Sequence, residues 1–262
     1  MGYGPPVVVE AEPRRELPYG LFSVLALRQS SDPHWMNGIT WESVSCDPVT
    51  GADWQDDPDC DTDFDKFFRG PGENGEATQF ITTGSYLCGA PGGPAYSRGK
   101  EFAEADLLAH EQQQAEAFVW RKLAAEASDL NAAGAVSPEE GLALLEGWMG
   151  DFGSLGVIHL PREAASILSK RLNPSGSRLT TKIGSPVVAG SGYPGTSPAG
   201  AAPAAGEVWA FVSPALFGYR GEVMSHAVLD RTKNDHYALA ERPYVVGFDP
   251  CGVGAVRLDL SG

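Results

Sequence analysis

Residues 100–128 read KEFAEADLLAHEQQQAEAFVWRKLAAEAS. After Gly99 the stretch holds no Gly or Pro, and Ala, Glu, Gln, Leu and Lys dominate it, all good helix formers. Leu108, Gln112, Ala115, Val119 and Leu123 recur at the spacing of one helix face. About 27 residues at 1.5 Å each make a rod roughly 40 Å long. Its middle, residues 110–114, is polar on every side. A helix apolar at both ends and polar between them suits a beam laid across a larger object. An ordinary long surface helix fits the same spacing, so the flanking segments decide.

Towards the N-terminus the chain is extended and acidic. Residues 1–20 hold four Pro and three Gly, which predicts an arm with little to bury against itself. Residues 21–27 predict a short strand or helix anchoring that arm. Asn37-Gly38 is a hairpin-turn signal, and residues 39–44 alternate like a strand with one covered face. Residues 79–88 form a second strand, expected to pair antiparallel with the first as the legs of a long excursion. Between them lie eight aspartates from Asp47 to Asp65, and residues 1–65 carry 13 acidic but only 3 basic side chains. The alternating Asp57, Asp59, Asp61, Asp63 and Asp65 look superficially like a calcium loop, but the Gly and Glu that such a loop needs are missing. Trp54, Phe64, Phe67 and Phe68 sit inside this polar loop and call for another surface to bury against. Residues 89–99, rich in Gly and Pro, link into the helix.

Towards the C-terminus the pattern is mixed. Ser137-Pro138-Glu139-Glu140 is a helix start: a capping Ser, Pro in the first turn, and Glu three residues after the cap. Leu142, Leu145, Trp148, Met149 and Phe152 form its apolar face. Residues 156–160 predict a buried strand, and Pro161 opens another helix with Ala164, Ala165, Leu168 and Leu172 at core spacing. Residues 186–189 and 208–212 are short strands. Between them GSGYPGTSPAGAAPAAG, residues 190–206, predicts a long mobile loop without its own core. Residues 216–224 continue as strand, and residues 230–235 are a turn. Strands are predicted at 237–242, 244–248 and 253–260. The fold class is α+β.

Composition and spacing exclude several functions. The 262-residue chain is 42% hydrophobic, enough for a core, and has a net charge of −15. That balance argues against nucleic-acid binding and against docking on anionic membranes. The start of the chain lacks a basic segment followed by an apolar run, so no secretory leader is expected, and a cytosolic origin is. The four cysteines show no C-x-x-C pair, so buried thiols are the plain reading; a Cys46–Cys60 disulfide stays open. No two of the five histidines stand at metal-ligand spacing on a helix. His159 falls in a buried strand as a hydrogen-bonded structural residue. Gly190-Ser191-Gly192 is not a nucleophile elbow, because Ala189 and Tyr193 occupy the wrong places. No catalytic, cofactor-binding or metal residue is assigned, and a non-enzyme is expected.

The order of segments resembles the major capsid protein of tailed double-stranded DNA phages, a fold shared with encapsulin shells. The phrases GVIHLPREAASIL, RLTTKIGSPVVAGSGYPG and ALAERPYVVGFDPCGVGAVRLDL look like capsid proteins of actinobacterial phages. The resemblance implies an arm at 1–20, a β-hairpin excursion with an acidic insertion at 21–99 and a spine helix at 100–128. It further implies an axial domain at 129–234 and closing strands of a peripheral domain at 235–262. Many copies would form hexamers and pentamers of an icosahedral phage head, assembled in the host cytoplasm. The head would enclose DNA without binding it specifically, with portal, scaffolding or decoration proteins as further partners. Trp54, Phe64, Phe67, Phe68 and Tyr193 are the expected contacts between subunits, with residues 190–206 near a capsomer axis. The alternatives are an encapsulin-type compartment, another virion component, or a calcium-dependent module or hydrolase using the Asp-rich loop.

Overall fold

A computed structural model of the chain describes residues 14, 16–43, 74–88, 98–233 and 235–261. The Asp-rich insertion, with Trp54, Phe64, Phe67 and Phe68, lies outside the described residues.

The long helix forms as α1, Gly99–Glu126, and ends where Ala127 turns extended and the chain runs on as β5, Ala127–Asp129. Its buried face runs through Ala103, Leu107, Glu111, Ala115, Val119 and Leu123. The placing of Leu108 on that face is corrected, since Leu108 is 49% exposed whereas Leu107 is fully buried. Helical spacing permits both 107-111-115 and 108-112-115, and the polar Glu111 hid the first. The polar middle is wet on one side only: Glu111 and Gln112 are buried, as is Glu116 beyond it, whereas Gln113 is exposed.

Two sheets flank this helix. The strand β13, Asp235–Gly247, forms the centre of a five-stranded sheet. On one side it pairs antiparallel with β4, Gln79–Cys88, from Val245↔Gln79 to His236↔Cys88. On the other side it meets β11, Phe217–Arg220, and β12, Met224–Asp230. The strand β1, Ala26–Arg28, adds to β11 in parallel. One strand thus replaces the two expected at 237–242 and 244–248, because Pro243 is accommodated inside it opposite Ile81.

The second sheet has seven strands in the order β5-β14-β10-β6-β9-β8-β7. These are β6, Val157–Pro161; β7, Leu172–Ser175; β8, Arg178–Thr181; β9, Pro186–Gly190; β10, Glu207–Ser213; and β14, Val253–Asp259. Alternation along β10 supplies both faces. Val208, Ala210 and Val212 pack with Leu142, Leu145 and Met149 of α2, Pro138–Phe152, and with Ala164 and Ala165 of α3, Arg162–Ile167. Trp209 and Phe211 pack with Trp120 and Leu123 of α1. The Ser137 cap forms as expected, its Oγ accepting from Glu140 N at 3.3 Å.

Glycines set how closely the sheets approach the helix. A Cβ on Gly84 of β4 would stand 2.1 Å from Leu107 N, and one on Gly192 would stand 2.0 Å from Gln113 O. The helix is therefore gripped by bare backbone from both sides.

The expected strand pairing and cysteine states change. Residues 39–42 pair with residues 74–77, not with 79–88: β2, Ile39–Glu42, and β3, Asn74–Ala77, make a separate two-stranded ribbon. Residues 79–88 are needed in the five-stranded sheet because their Phe80, Thr82 and Gly84 face the helix. Around the boundary expected at 234 the strands of the two sheets interleave. Residues 217–230 belong with β13, whereas β14 crosses to the seven-stranded sheet, where Val256 and Leu258 complete the core under α2. Of the cysteines, Cys88 ends β4 half-exposed and Cys251 is disulfide-bonded, so neither is the buried thiol expected.

The corrected face gives a direct test. Leu107→Asp places a carboxylate in a fully buried contact and is expected to cost about 3 kcal/mol or more, whereas Leu108→Asp should stay within about 0.5 kcal/mol of the parent. Chemical denaturation of the two variants separates them; equal losses would contradict the assigned face.

Candidate functional site

Among the described residues His159, Tyr193 and Ser213 form a compact set of catalytic-type side chains, and it is closed. His159 Nδ1 lies 2.8 Å from Tyr193 Oη and its Nε2 lies 2.9 Å from Ser213 Oγ. Ser213 Oγ donates to Pro214 O at 2.8 Å, so the imidazole Nε2 donates to Ser213 and Nδ1 accepts from Tyr193. The serine proton points away from the imidazole. Burial pushes the His159 pKa down to about 3, so the ring is neutral near pH 7. His159 and Ser213 have no solvent-exposed surface. The arrangement satisfies buried polar groups and offers no nucleophile to a substrate. Among the described residues no group of three or more His, Cys, Asp or Glu could hold a metal ion. No helix among them is long and apolar enough to cross a membrane.

The middle of α1 carries the chain's most demanding electrostatics. Glu111 faces the five-stranded sheet and receives Arg220 Nη2 at 2.6 Å, Arg242 Nη1 at 2.7 Å and Tyr244 Oη at 2.9 Å. Glu116, less than two turns on, faces the other way. Its oxygens accept from Leu21 N at 3.1 Å, Gly192 N at 2.7 Å and Ser191 Oγ at 3.2 Å. No cation among the described residues answers Glu116, and burial pushes its pKa up against those three hydrogen bonds.

The N-terminal segment is strapped over this polar band. Gln112 Nε2 donates to Leu17 O, Arg162 Nη1 to Pro18 O, and Ala189 N to Tyr19 O, all within 3.1 Å. Tyr19 is held at a φ of 67°, a left-handed backbone that a tyrosine adopts only when its surroundings require it. Glu16 lies beside Glu111, and burial together with that neighbouring carboxylate pushes its pKa up.

The outer face of the five-stranded sheet, turned away from α1, is half covered. At the β11 end Trp35 stacks on Tyr219 with centroids 5.6 Å apart, and Trp41 meets Phe217 edge-on at 4.8 Å. At the other end nothing among the described residues lies over it. Opposed residues of an antiparallel pair share a face, so Leu87, Tyr237 and Val228 form one row. Leu239 with His226, Glu241 with Met224, and Ile81 with Pro243 continue the same face. Ile81, Leu87, Met224, Val228, Tyr237 and Leu239 are between 37% and 64% exposed. A groove of about 790 Å³ between Trp35, Met36, Met224 and Pro243 joins the covered half to the bare half.

Tyr193 does not face outward. It is buried against Trp120, its centroid 5.0 Å from the indole. It is therefore not available as a contact between subunits, and residues 190–196 are not a free loop. Gly192 is tied to Glu116, Thr196 Oγ1 accepts from Trp120 Nε1 at 3.0 Å, and Gly195 O accepts from Trp209 N at 2.9 Å. The sequence reading missed β12 and the bare face. A signal was present: residues 224–240 hold apolar side chains at both odd and even positions, as in strands covered on both faces.

No protein-family model matches the chain, and no curated protein matches its sequence. Solved structures do match it in shape. A chain titled Mycobacterium phage Ogopogo is 12% identical, with 97% of this chain and 96% of that one covered at a TM-score of 0.55. The SrpI encapsulin of Synechococcus elongatus is 9% identical, with 98% and 94% covered, also at 0.55. The capsid of an empty GTA particle is 9% identical, with 95% and 100% covered, again at 0.55. At such identities the likeness establishes the fold alone. The chain has the fold of phage capsid and encapsulin proteins, an α+β architecture of sheets and few helices.

Two measurements check the polar band. Glu111→Ala leaves the part-buried Arg220 and Arg242 guanidiniums without their acceptor and should cost about 3 kcal/mol, read by denaturant titration. Glu116 binds its proton more tightly folded than unfolded. Stability from this group is therefore full below its unfolded value near 4.5 and is lost as pH rises through the folded pKa. The stability difference between wild type and Glu116→Gln should fall with rising pH across that window and level off above it. A flat difference would contradict the assignment.

Proposed function

We propose that this chain is a structural protein of the phage virion: the major capsid subunit, assembling as hexamers and pentamers into an icosahedral head around double-stranded DNA. The observation that carries the reading is the end-to-end likeness to an encapsulin and to a particle capsid, which leaves neither chain with a large unmatched domain. The architecture supports it. A rigid helix clamped between two sheets gives a plate whose shape survives many contacts. Its N-terminal strap crosses the helix, and its two-stranded ribbon is hydrogen-bonded into neither sheet. The net charge of −15 suits a wall that must not adhere to the polyanion packed inside it. The chief partner is then the chain itself; portal, scaffolding or decoration proteins would bind as separate components. Assembly would take place in the bacterial cytoplasm, and the finished protein would reside in the phage head.

The peripheral domain would be the five-stranded sheet with α1, and the axial domain the seven-stranded sheet with α2 and α3. A second reading, an encapsulin-type compartment, is favoured by the equal TM-score of 0.55 to the SrpI encapsulin. The contents of the particle distinguish the two: nucleic acid for a head, folded protein cargo for a compartment.

Expression of the full chain followed by negative-stain microscopy is expected to show closed particles of uniform diameter. A species that stays monomeric at every concentration, with or without phage partner proteins, would refute the proposal.

A further inference from the structure

We propose that Gln114 and Asp106 hold shut an edge of the five-stranded sheet that would otherwise pair with the same edge of a second copy. The inference goes beyond the reading of the chain as a shell subunit and does not depend on it.

The edge is that of β4. In an antiparallel ladder each residue turns both its N–H and its C=O towards the partner strand or turns both away. Thr83 stands opposite Glu241 of β13, yet both of its backbone groups bond outside that ladder. Ile81, Thr83, Ser85 and Leu87 therefore present their backbone to the side away from β13. A row of such groups is a template for a further strand.

Two side chains of α1 occupy the template. Gln114 Oε1 accepts from Thr83 N at 2.8 Å, and Gln114 Nε2 donates to Thr83 O at 2.7 Å. A side-chain amide carries a carbonyl and N–H donors in one plane. It meets Thr83 as the peptide groups of a neighbouring strand would. Asp106 Oδ2 accepts from Ser85 N at 3.0 Å and stands where the carbonyl of an added strand would come. Asp106 is itself held, since His110 Nδ1 lies 3.0 Å from its Oδ1 and Arg14 Nη1 lies 2.9 Å from His110 Nε2. The core does not need these bonds. Thr83 and Ser85 are exposed, so water would satisfy the same backbone groups. What the two side chains add is exclusion of another strand.

The sequence of the edge shows which strand it would take. Two antiparallel copies of β4 centred on Gly84 set Thr83 opposite Ser85 and Ile81 opposite Leu87. Hydroxyl then meets hydroxyl and apolar meets apolar, pairs that stabilise a sheet. These four residues are also the ones whose backbone faces the edge, so the ladder and the side-chain pattern agree on one register. Ile81 and Leu87 are 47% and 59% exposed, and the pairing would cover both. The product would be two five-stranded sheets joined edge to edge about a two-fold axis.

The test compares the full chain with its Gln114→Ala, Asp106→Ala double variant. In dilute, unassembled samples hydrogen exchange at the Thr83 and Ser85 amides is expected to be at least about tenfold faster in the variant, with the unfolding midpoint close to the parent's. On concentration the variant should associate beyond the wild type in sedimentation velocity, and the same two amides should become protected again. Ile81→Lys added to the double variant puts a charge on the edge and should return association to the wild-type level. If the double variant does not fold, Gln114→Ala alone is read in the same way at Thr83. Unchanged exchange, association no greater than that of the wild type, or association that survives Ile81→Lys would each overturn the proposal. Each of these results leaves the shell reading to its own test, the presence of closed particles in the wild type.

Discussion

Two carboxylates on one helix have to be kept out of water, and the architecture follows from how they are satisfied. Glu111 needs Arg220, Arg242 and Tyr244, which only the five-stranded sheet supplies. Glu116 needs the backbone of Leu21 and Gly192, which the N-terminal strap and the loop after β9 supply. An unmet buried charge is costly enough that neither half-formed arrangement is stable. Both sheets and the strap must therefore be in place together. The polar band acts as a registration mark that fixes where along the helix each sheet sits. Hydrophobic packing at Leu107 and at Trp120 then holds what the carboxylates have positioned.

Much of this was readable from residue types, and what was not has a physical cause. The extent of the long helix, the Ser137 cap, the buried strand around His159 and the core positions of Ala164 and Ala165 are local patterns, and local physics decides them, whereas the helix expected to run on to Leu172 stops at Ile167 and Leu172 begins β7. The helix face was misjudged because a buried glutamate looks identical in sequence to a solvated one. Its burial depends on Arg220 and Arg242, more than 100 residues away. Strand partners failed for the same reason: β4 looked like a leg of a hairpin, yet its hydrogen bonds go to β13. Residues 190–196 carried a loop composition and are nonetheless fixed by Glu116 and Trp120. Small residues there mean close approach to a helix, not freedom. The resemblance to capsid proteins rested on segment order, which survives such local errors.

Charge and apolar surface are divided in a way that suits association without stickiness. The densest acidic run is confined to one insertion, and the bare apolar rows are confined to one face of one sheet. A molecule carrying −15 repels its copies at a distance. Any contact then depends on short-range fit. Trp35 and Trp41 already close part of the face, which limits the apolar surface the chain exposes.

The position of β13 and β14 in the chain order has a consequence for the order of folding. The centre of one sheet and an inner strand of the other both lie after residue 234. Until they are in place, β4 and β12 lack their common neighbour, and β10 has an open edge towards β5. Neither layer can close before these two strands are made, so each sheet is finished by strands synthesised after the rest of it.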